Sequence, residues 1–310
     1  MSTQSRAETT ADRASFRNAF KTISSLFKMR VVSLLLGASI AGAFLGQRGV
    51  PSIVTLAVLM VTGSLAAGGA SAINQYLERD TDPNMKRTSR RPLATGKIRH
   101  PAVVLWVAIA MILVAVFSVL PTNPAMAFYL GLGALIYVGV YTIWLKPRSV
   151  LNIVIGGAAG SCAVMAGGAA VGAASDPAVI VLALLVFLWT PAHFWALAMM
   201  YKDDYATAHV PMLPVNASAG STAWWILLHT ASTSLAALTL AVIPALGLIY
   251  AVPTAIVTGV FVLGSIYLLR YPDRSHAIRL FITSNIFLAL VLLAIIIAAS
   301  GHQFLNLLRL

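Results

Sequence analysis

An all-α integral membrane protein of nine transmembrane helices, with two long polar loops on one side, is predicted by three observations. Only 10% of the 310 residues are Asp, Glu, Lys or Arg, while 59% are hydrophobic, and the mean hydropathy is +0.87. The apolar residues fall into several runs of roughly 20, the length at which a helix crosses a hydrocarbon core. The basic residues segregate to alternate connections between these runs, as the positive-inside rule requires. A soluble fold would carry more charge and shorter runs, and the alternating segments of about 10 residues that build a membrane β-barrel are absent.

The spans follow in order. The first, 31–47, comes after a polar N-terminal stretch. The second, 52–77, contains the small-residue run GSLAAGGASA (63–72) and leads into the most charged part of the chain. The third, 101–120, and fourth, 126–145, are joined by a short connection. The fifth, 150–172, carries Gly156, Gly157, Gly160, Gly167, Gly168 and Gly172. The sixth, 178–200, carries His193. The seventh, 222–246, and eighth, 251–270, are apolar, the latter diluted by Ala, Val and Gly. The ninth is 280–299. Small faces of the kind seen in the second and fifth spans let backbones approach closely in lipid; their minority reading is the wall of a cavity. Residues 29–300 therefore read as one membrane domain, flanked by a polar segment 1–28 and a short tail 301–310.

With the N-terminus in the cytoplasm, the inside segments hold Arg6, Arg13, Arg17, Lys21, Lys28, Arg30, Arg79, Lys86, Arg87, Arg90, Arg91, Lys97, Arg99, Lys146, Arg148, Lys202, Arg270, Arg274 and Arg279. The outside holds Arg48 and Arg309. A missed or invented helix would scramble this split, which places the C-terminus outside. Topology and contact with anionic headgroups of the lipid bilayer account for the net charge of +12. No basic-aromatic module for nucleic acid is present. Cys162, the single cysteine, excludes an internal disulfide and Cys-x-x-Cys sites and reads as a packing residue. Residues 1–30 lack the apolar core of a cleavable secretory signal, and Glu8 and Asp12 argue against an organelle transit peptide. A bacterial inner membrane is the simplest host.

Two connections are long, roughly 78–100 and 201–221, and both are cytoplasmic. Each follows an even-numbered span, four helices apart, and each opens with acids beside a base. The spacing suggests a four-helix unit used twice, with a ninth helix appended. The stretch NQYLERDTDPNMKRTSRRPL (74–93) holds three acids and five bases. Asn74, Glu78 and Asp82 are spaced by four and line one helix stripe, and Pro83 ends that helix. Carboxylates so close to hydrocarbon need a counter-charge. A Mg²⁺ ion supplies one, since it takes one or two carboxylates, keeps waters and completes its shell with phosphate. Asp203 and Asp204 are candidates for a second ion facing the first. Arg87 and Arg91, with Lys86 and Arg90 beside them, suit bidentate binding of phosphate. Acids, metal and guanidinium groups together are the kit for a diphosphate.

His193 lies in PAHFWALAMMYKDD (191–204), about ten residues before Asp203 and therefore inside the bilayer. Ionisable groups at that depth face the bundle interior. A structural hydrogen bond, a metal or haem-iron ligand, or a proton relay would each place it there. Trp189, Phe194 and Trp195 beside it could stack on a flat substrate or a carbocation, or simply face lipid.

These stretches resemble the UbiA superfamily of intramembrane prenyltransferases, whose first motif is Asn-x-x-x-Asp-x-x-x-Asp. Asn74, Glu78 and Asp82 stand in that frame, with Glu for the first Asp. That Glu, the block around His193 and the nine-span layout are similar to one branch of the superfamily, over roughly residues 25 to 300. The resemblance implies nine helices in a ring around a central cavity capped by the two polar loops. It implies transfer of farnesyl from farnesyl diphosphate to a vinyl group of haem B, with water adding, and Mg²⁺ as cofactor. Carried over by position, Asn74, Glu78 and Asp82 hold one Mg²⁺; Arg87, Arg91 and Lys202 bind diphosphate; His193 sits at the haem. The second loop departs from the superfamily pattern. Tyr201 and Tyr205 occupy the frame of its Asp-x-x-x-Asp, with Asp203 and Asp204 between them. The second metal site is then built from Asp203 and Asp204, or the tyrosine hydroxyls contact diphosphate. A haem A synthase or oxidase assembly factors are the protein partners the resemblance suggests. Other prenyl acceptors, such as an aromatic acid or quinone precursor, remain open on the same scaffold. A secondary transporter fits less well, because the acids cluster at one face. A CDP-alcohol phosphotransferase lacks its Asp-Gly-x-x-Ala-Arg signature here.

Overall fold

In a computed structural model of the full chain, residues 21–307 are described. Arg6, Arg13, Arg17 and Arg309 lie outside them, as does most of the polar N-terminal segment 1–28 and the end of the tail 301–310. Among the described residues nine helical stretches are long and apolar enough to cross a membrane. They are α1 (Met29–Gln47), α2 (Ile53–Glu78), α3 (Pro101–Val119), α4 (Pro124–Leu145), α5 (Asn152–Ala170), α6 (Pro177–Met200), α7 (Ala219–Leu240), α8 (Gly247–Arg270) and α9 (Arg274–Leu307).

The sequence sets most starts by capping. Ser52, Asn123, Asp176 and Ser218 each accept a hydrogen bond from a backbone N–H in the first turn that follows, which satisfies one of the orphan donors of a helix N-terminus. Pro101, Pro124 and Pro177 occupy the first helical position, where a missing N–H costs nothing. Two spans differ from expectation. The seventh span stops at Leu240 rather than 246, and turns ahead of Pro244 carry the chain to α8. The ninth begins at Arg274 and runs to Leu307, well beyond 280–299. Asp273 accepts from the His276 N–H at 2.9 Å and starts it among polar residues that a hydropathy window passes over.

Consecutive helices pack on one another from α1 to α9, and α9 returns to α1, so the bundle is a closed ring. The ninth helix is thus no appendage: it packs on α8, α6 and α1. Across the ring, α1 also packs closely on α5. A Cβ on Gly42 would lie 2.5 Å from the Val164 carbonyl oxygen, and one on Gly167 would overlap the Ser39 carbonyl. These two glycines let the backbones touch, as expected of small faces in lipid. At the other end of α5, Gly156 lies against the Tyr141 ring, 2.8 Å from where its Cβ would be, and both line a cavity. Outside the ring, side chains such as Trp106, Leu235, Val242 and Leu248 are largely exposed, as a lipid-facing surface would be.

Because the helices alternate in direction, the start of α1, the ends of α2, α4 and α6 and the start of α5 share one side of the ring. The loops 79–100 and 201–218 lie on that same side. A cavity of about 570 Å³ opens there.

Replacing Gly167 by Ala sets a methyl against backbone that cannot yield, and overpacking of this kind costs about 1–3 kcal/mol. We expect a lowered thermal unfolding temperature in detergent for Gly167→Ala. Gly220→Ala, where nothing lies within 4 Å of the added carbon, should melt with the wild type.

Candidate active site

The cavity is built from both polar loops and five helices. Its wall includes Lys28 and the first residues of α1, Asn74 and Glu78 from α2, Tyr137 and Tyr141 from α4 with Lys146 just after it, Ile153 and Gly156 from α5, Thr190 and Phe194 from α6, and Arg87, Thr88, Arg91 and Tyr205 from the loops.

Asn74 and Glu78 share one stripe of α2, but the helix ends at Glu78 rather than at Pro83, and it is the turn that follows that brings Asp82 beside them. Asn74, Glu78 and Asp82 are all buried, and Asn74 Nδ2 donates to Glu78 Oε1 at 2.8 Å. Past α2 a 3₁₀ turn at Asp82–Asn84 directs the chain back over the helix end, where Thr88 Oγ1 donates to the Asp82 carbonyl at 3.1 Å. This fold of the loop delivers Arg91. Its Nη1 donates to Asp82 Oδ1 and Oδ2 at 2.8 and 2.7 Å and to Glu78 Oε2 at 3.1 Å. Lys146 pairs with the other Glu78 oxygen. Burial opposes the Arg91 charge, but Asp82 and Glu78 outweigh it and hold the guanidinium above its ordinary pKa.

Four cavity residues were missed by sequence reasoning as site residues: Lys28, Tyr137, Tyr141 and Lys146. Lys28 has a left-handed backbone (φ 47°), and its Nζ donates to Asn74 Oδ1 at 2.5 Å and to the Tyr137 hydroxyl at 3.0 Å. Burial, with Arg91 nearby, pushes its ammonium well below the usual lysine range. The other three depend on a change of helix type. From Ile136 to Leu145, α4 is a π-helix, with the Lys146 N–H bonded to the Tyr141 carbonyl five residues back. In an α-helix residues five apart point about 140° away from each other. The i→i+5 pattern stacks them instead. Tyr141 and Lys146, and likewise Tyr137 and Thr142, therefore come to one face. Tyr137 and Tyr141 stack with centroids 5.6 Å apart, and Thr142 Oγ1 accepts from Asn74 Nδ2 at 3.1 Å.

The second loop contributes less charge than its sequence suggests. Lys202 and Asp203 point to solvent on the short helix Lys202–Thr207. Tyr201 packs beside Met85 and Met212. Asp204 Oδ2 accepts from the Arg87 backbone N–H at 3.3 Å, which ties the two loops together. Tyr205 is buried and lines the cavity, and its hydroxyl accepts from Arg87 Nη2 at 3.2 Å; burial raises its pKa. Lys86 and Arg90 are exposed.

His193 stands behind the cavity wall rather than in it. Its ring is stacked between Trp189 and Phe281, with centroids 4.3 and 4.5 Å away. Its Nδ1 is 2.8 Å from the Ser284 hydroxyl on α9, and Trp189 Nε1 donates to the Ser284 carbonyl at 2.8 Å. Phe194, edge-on to the His193 ring, is the residue that reaches the cavity. Trp195 is buried on another face, edge-on to His229 at 5.2 Å.

The donor chemistry suits a hard divalent cation at one place. Among the described residues no three His, Cys, Asp or Glu side chains converge, but Mg²⁺ needs only one or two carboxylates when phosphate and water complete its shell. Glu78 and Asp82 meet this, since oxygens of both lie within 3.1 Å of one Arg91 nitrogen, and the Asn74 carbonyl adjoins them. Asp203 and Asp204 do not form a comparable pair.

The profile of the UbiA prenyltransferase family matches residues 35–291. A relative from Metallosphaera sedula, protoheme IX farnesyltransferase, is 40% identical over 274 residues, covering 88% of this chain and 94% of its own. Protoheme IX farnesyltransferase 2 from Paramagnetospirillum magneticum is 40% identical over 281 residues, 89% of this chain and 96% of its own. Among solved structures, a digeranylgeranylglyceryl phosphate synthase superposes with a TM-score of 0.76 at 18% identity, covering 91% of this chain and 99% of that one. A UbiA homologue from Archaeoglobus fulgidus, bound to GPP and Mg²⁺, superposes with a TM-score of 0.61 at 15% identity, covering 89% and 99%. These last two likenesses concern the fold.

Arg91→Gln leaves two carboxylates buried with reduced compensation, and breaking a buried ion pair costs about 3–5 kcal/mol. A matching fall in thermal stability is expected, and Asp82→Asn added to Arg91→Gln should restore much of it.

Proposed function

We propose that this chain, which belongs to the UbiA prenyltransferase family, transfers farnesyl from farnesyl diphosphate to a vinyl group of haem B, with addition of water, to give haem O and diphosphate. The observation that carries this reading is the pairing of a diphosphate kit with an apolar wall in one cavity. Glu78, Arg91, Lys146, Lys28 and Arg87 line it, with Asp82 paired to Arg91 just behind, and Ile153, Phe194, Tyr137 and Tyr141 line it beside them. The choice of acceptor rests on the relatives named protoheme IX farnesyltransferase, which match about nine-tenths of the chain at 38–40% identity.

In this reading Asn74, Glu78 and Asp82 hold a Mg²⁺ ion, which when bound neutralises the diphosphate and makes it a better leaving group. Arg87, Arg91, Lys28 and Lys146 bind diphosphate oxygens as charge develops on them, and guanidinium groups do so bidentately. The Tyr205 hydroxyl, fixed by Arg87, offers a further polar contact. The faces of Tyr137 and Tyr141 lie beside these cations and can stabilise allylic cation character at the first carbon of the farnesyl chain. The apolar wall keeps bulk water from quenching that cation before the vinyl group attacks it. Phe194 and Thr190 form the acceptor side, and His193 holds α6 to α9 behind them. We place the cavity mouth on the cytoplasmic side of a bacterial inner membrane, following the basic residues. A haem A synthase or oxidase assembly factor is the protein partner in the same proposal.

The test is incubation of the purified protein with haem B, farnesyl diphosphate and Mg²⁺, followed by mass spectrometry of the porphyrin. The expected product gains one farnesyl group and one water, and disappears with EDTA. Asp82→Ala and Arg91→Ala should lose this product while remaining inserted and monodisperse. Release of diphosphate with unchanged haem would move the reading to another acceptor, such as a quinone precursor. Near-normal haem O from either variant would remove these residues from their assigned roles.

A further inference from the structure

Every oxygen that the site offers to a metal already has a cation or a donor against it. Asn74 Oδ1 accepts from Lys28 at 2.5 Å. Glu78 Oε1 is paired with Lys146, and Glu78 Oε2 with Arg91 at 3.1 Å. Both Asp82 oxygens lie within 2.8 Å of Arg91 Nη1. The Arg91 and Lys146 cations and the Lys28 amino group, arriving from three different parts of the chain, converge on the end of α2 and the turn that follows it. The two carboxylates are balanced one for one by Arg91 and Lys146, before Lys28 is counted.

This arrangement treats a bare dication and a dication with diphosphate very differently. A bare ion would add two positive charges to a buried site whose two carboxylates Arg91 and Lys146 already neutralise, and would have to turn out both cations and the Lys28 amino group with no anion to receive them. Uncompensated charge of that kind is costly away from water. A diphosphate brings several negative charges and oxygens suited to ammonium and guanidinium groups. The same side chains can then turn from the carboxylates to the diphosphate, and the vacated oxygens can take the metal. The cavity volume of about 570 Å³ beside them gives the anion room.

We propose that Lys28, Arg91 and Lys146 close the Asn74, Glu78 and Asp82 site to a free divalent cation, so that the cation binds only together with a diphosphate. The inference rests on the diphosphate reading above and adds an order of binding to it. Linkage is reciprocal, so diphosphate must tighten the metal by the same factor as the metal tightens diphosphate. When diphosphate leaves, the three side chains return to the carboxylates and expel the ion with it.

Equilibrium dialysis of the detergent-purified full chain against Mn²⁺, a stand-in for Mg²⁺, tests this with inorganic diphosphate present or absent. The readout is metal retained by the protein, independent of turnover. The wild type should hold Mn²⁺ only with diphosphate, and the apparent affinity should differ by roughly 5–150-fold, the usual span of coupling between sites. Lys146→Gln, which leaves the two carboxylates one cation short, should retain Mn²⁺ without diphosphate; Lys28→Gln, which frees only Asn74 Oδ1, should do so more weakly; and adding Glu78→Gln should abolish that retention. The wild-type comparison needs no variant to fold, and two separate lysines guard against one that does not. Equal retention with and without diphosphate overturns the inference and leaves the reaction reading standing. Lysine variants that elute as a single species yet gain no metal also overturn it. No retention under either condition overturns both the inference and the metal-dependent reading.

Discussion

Two carboxylates buried against one guanidinium organise this molecule. Glu78 and Asp82 sit where the end of α2 meets the interior of the ring, a place that tolerates no unbalanced charge. Arg91 and Lys146 supply the balance, and the surrounding structure serves to deliver them. The loop after α2 must double back to bring Arg91 over the helix end, which fixes the 3₁₀ turn and the contact of Thr88 with the Asp82 carbonyl. α4 must change its winding to bring Lys146 round. The second loop is drawn in by Arg87, which meets Asp204 through its backbone and Tyr205 through its side chain. One electrostatic requirement thus sets the course of both loops and the type of one helix.

The ring meets a second, purely steric requirement. Along α1 and α5 the small residues let two backbones meet, with Gly42 and Gly167 each against a carbonyl of the facing helix. That close contact fills the ring at one side of the bilayer. Toward the other side the same helix packs Gly156 against the Tyr141 ring, and with Ile153 it contributes to the cavity lining. A glycine-rich helix can therefore be both a tight seam and part of a cavity wall, at different heights. The stack of Trp189, His193 and Phe281, closed by the hydrogen bond to Ser284, joins α6 to α9 beside that wall. Phe194 is held by it at the cavity surface.

Much of this was legible in the chain. Nine apolar runs gave the helix count, because length and hydropathy are what a bilayer selects. The spacing of Asn74 and Glu78 gave their common face, because α2 is regular there; Asp82 lies past the helix end and joins them through the 3₁₀ turn. Arg87 and Arg91 were picked out by the cluster of bases they belong to and the fit of guanidinium groups to phosphate. Lys28 and Lys146 were hidden by the topology rule itself, which explains any lysine at that end of a helix and so gives no reason to look further. Tyr137 and Tyr141 were hidden by the π-helix, since α-helical spacing does not put Tyr141 and Lys146 on one side. A five-residue spacing of polar groups near the end of an apolar span was the available signal. In the second loop, adjacent acids drew attention to Asp203 and Asp204. Which residue turns inward is decided by packing, and it is Tyr205 that is buried. His193 was correctly read as facing the interior, but its aromatic neighbours turned out to enclose the imidazole itself.

The closure of the ring by α9 has a consequence in time rather than space. A ribosome delivers α1 to the membrane first, and its outer neighbour follows only after seven further helices. Until then α1 and the Trp189 and His193 face of α6 have no partner on that flank, and the wall behind the cavity lacks Phe281 and Ser284. The nascent protein must therefore hold an open, incomplete bundle in the bilayer through most of its synthesis. Insertion of one helix then converts it, in a single late step, into a closed ring around its cavity.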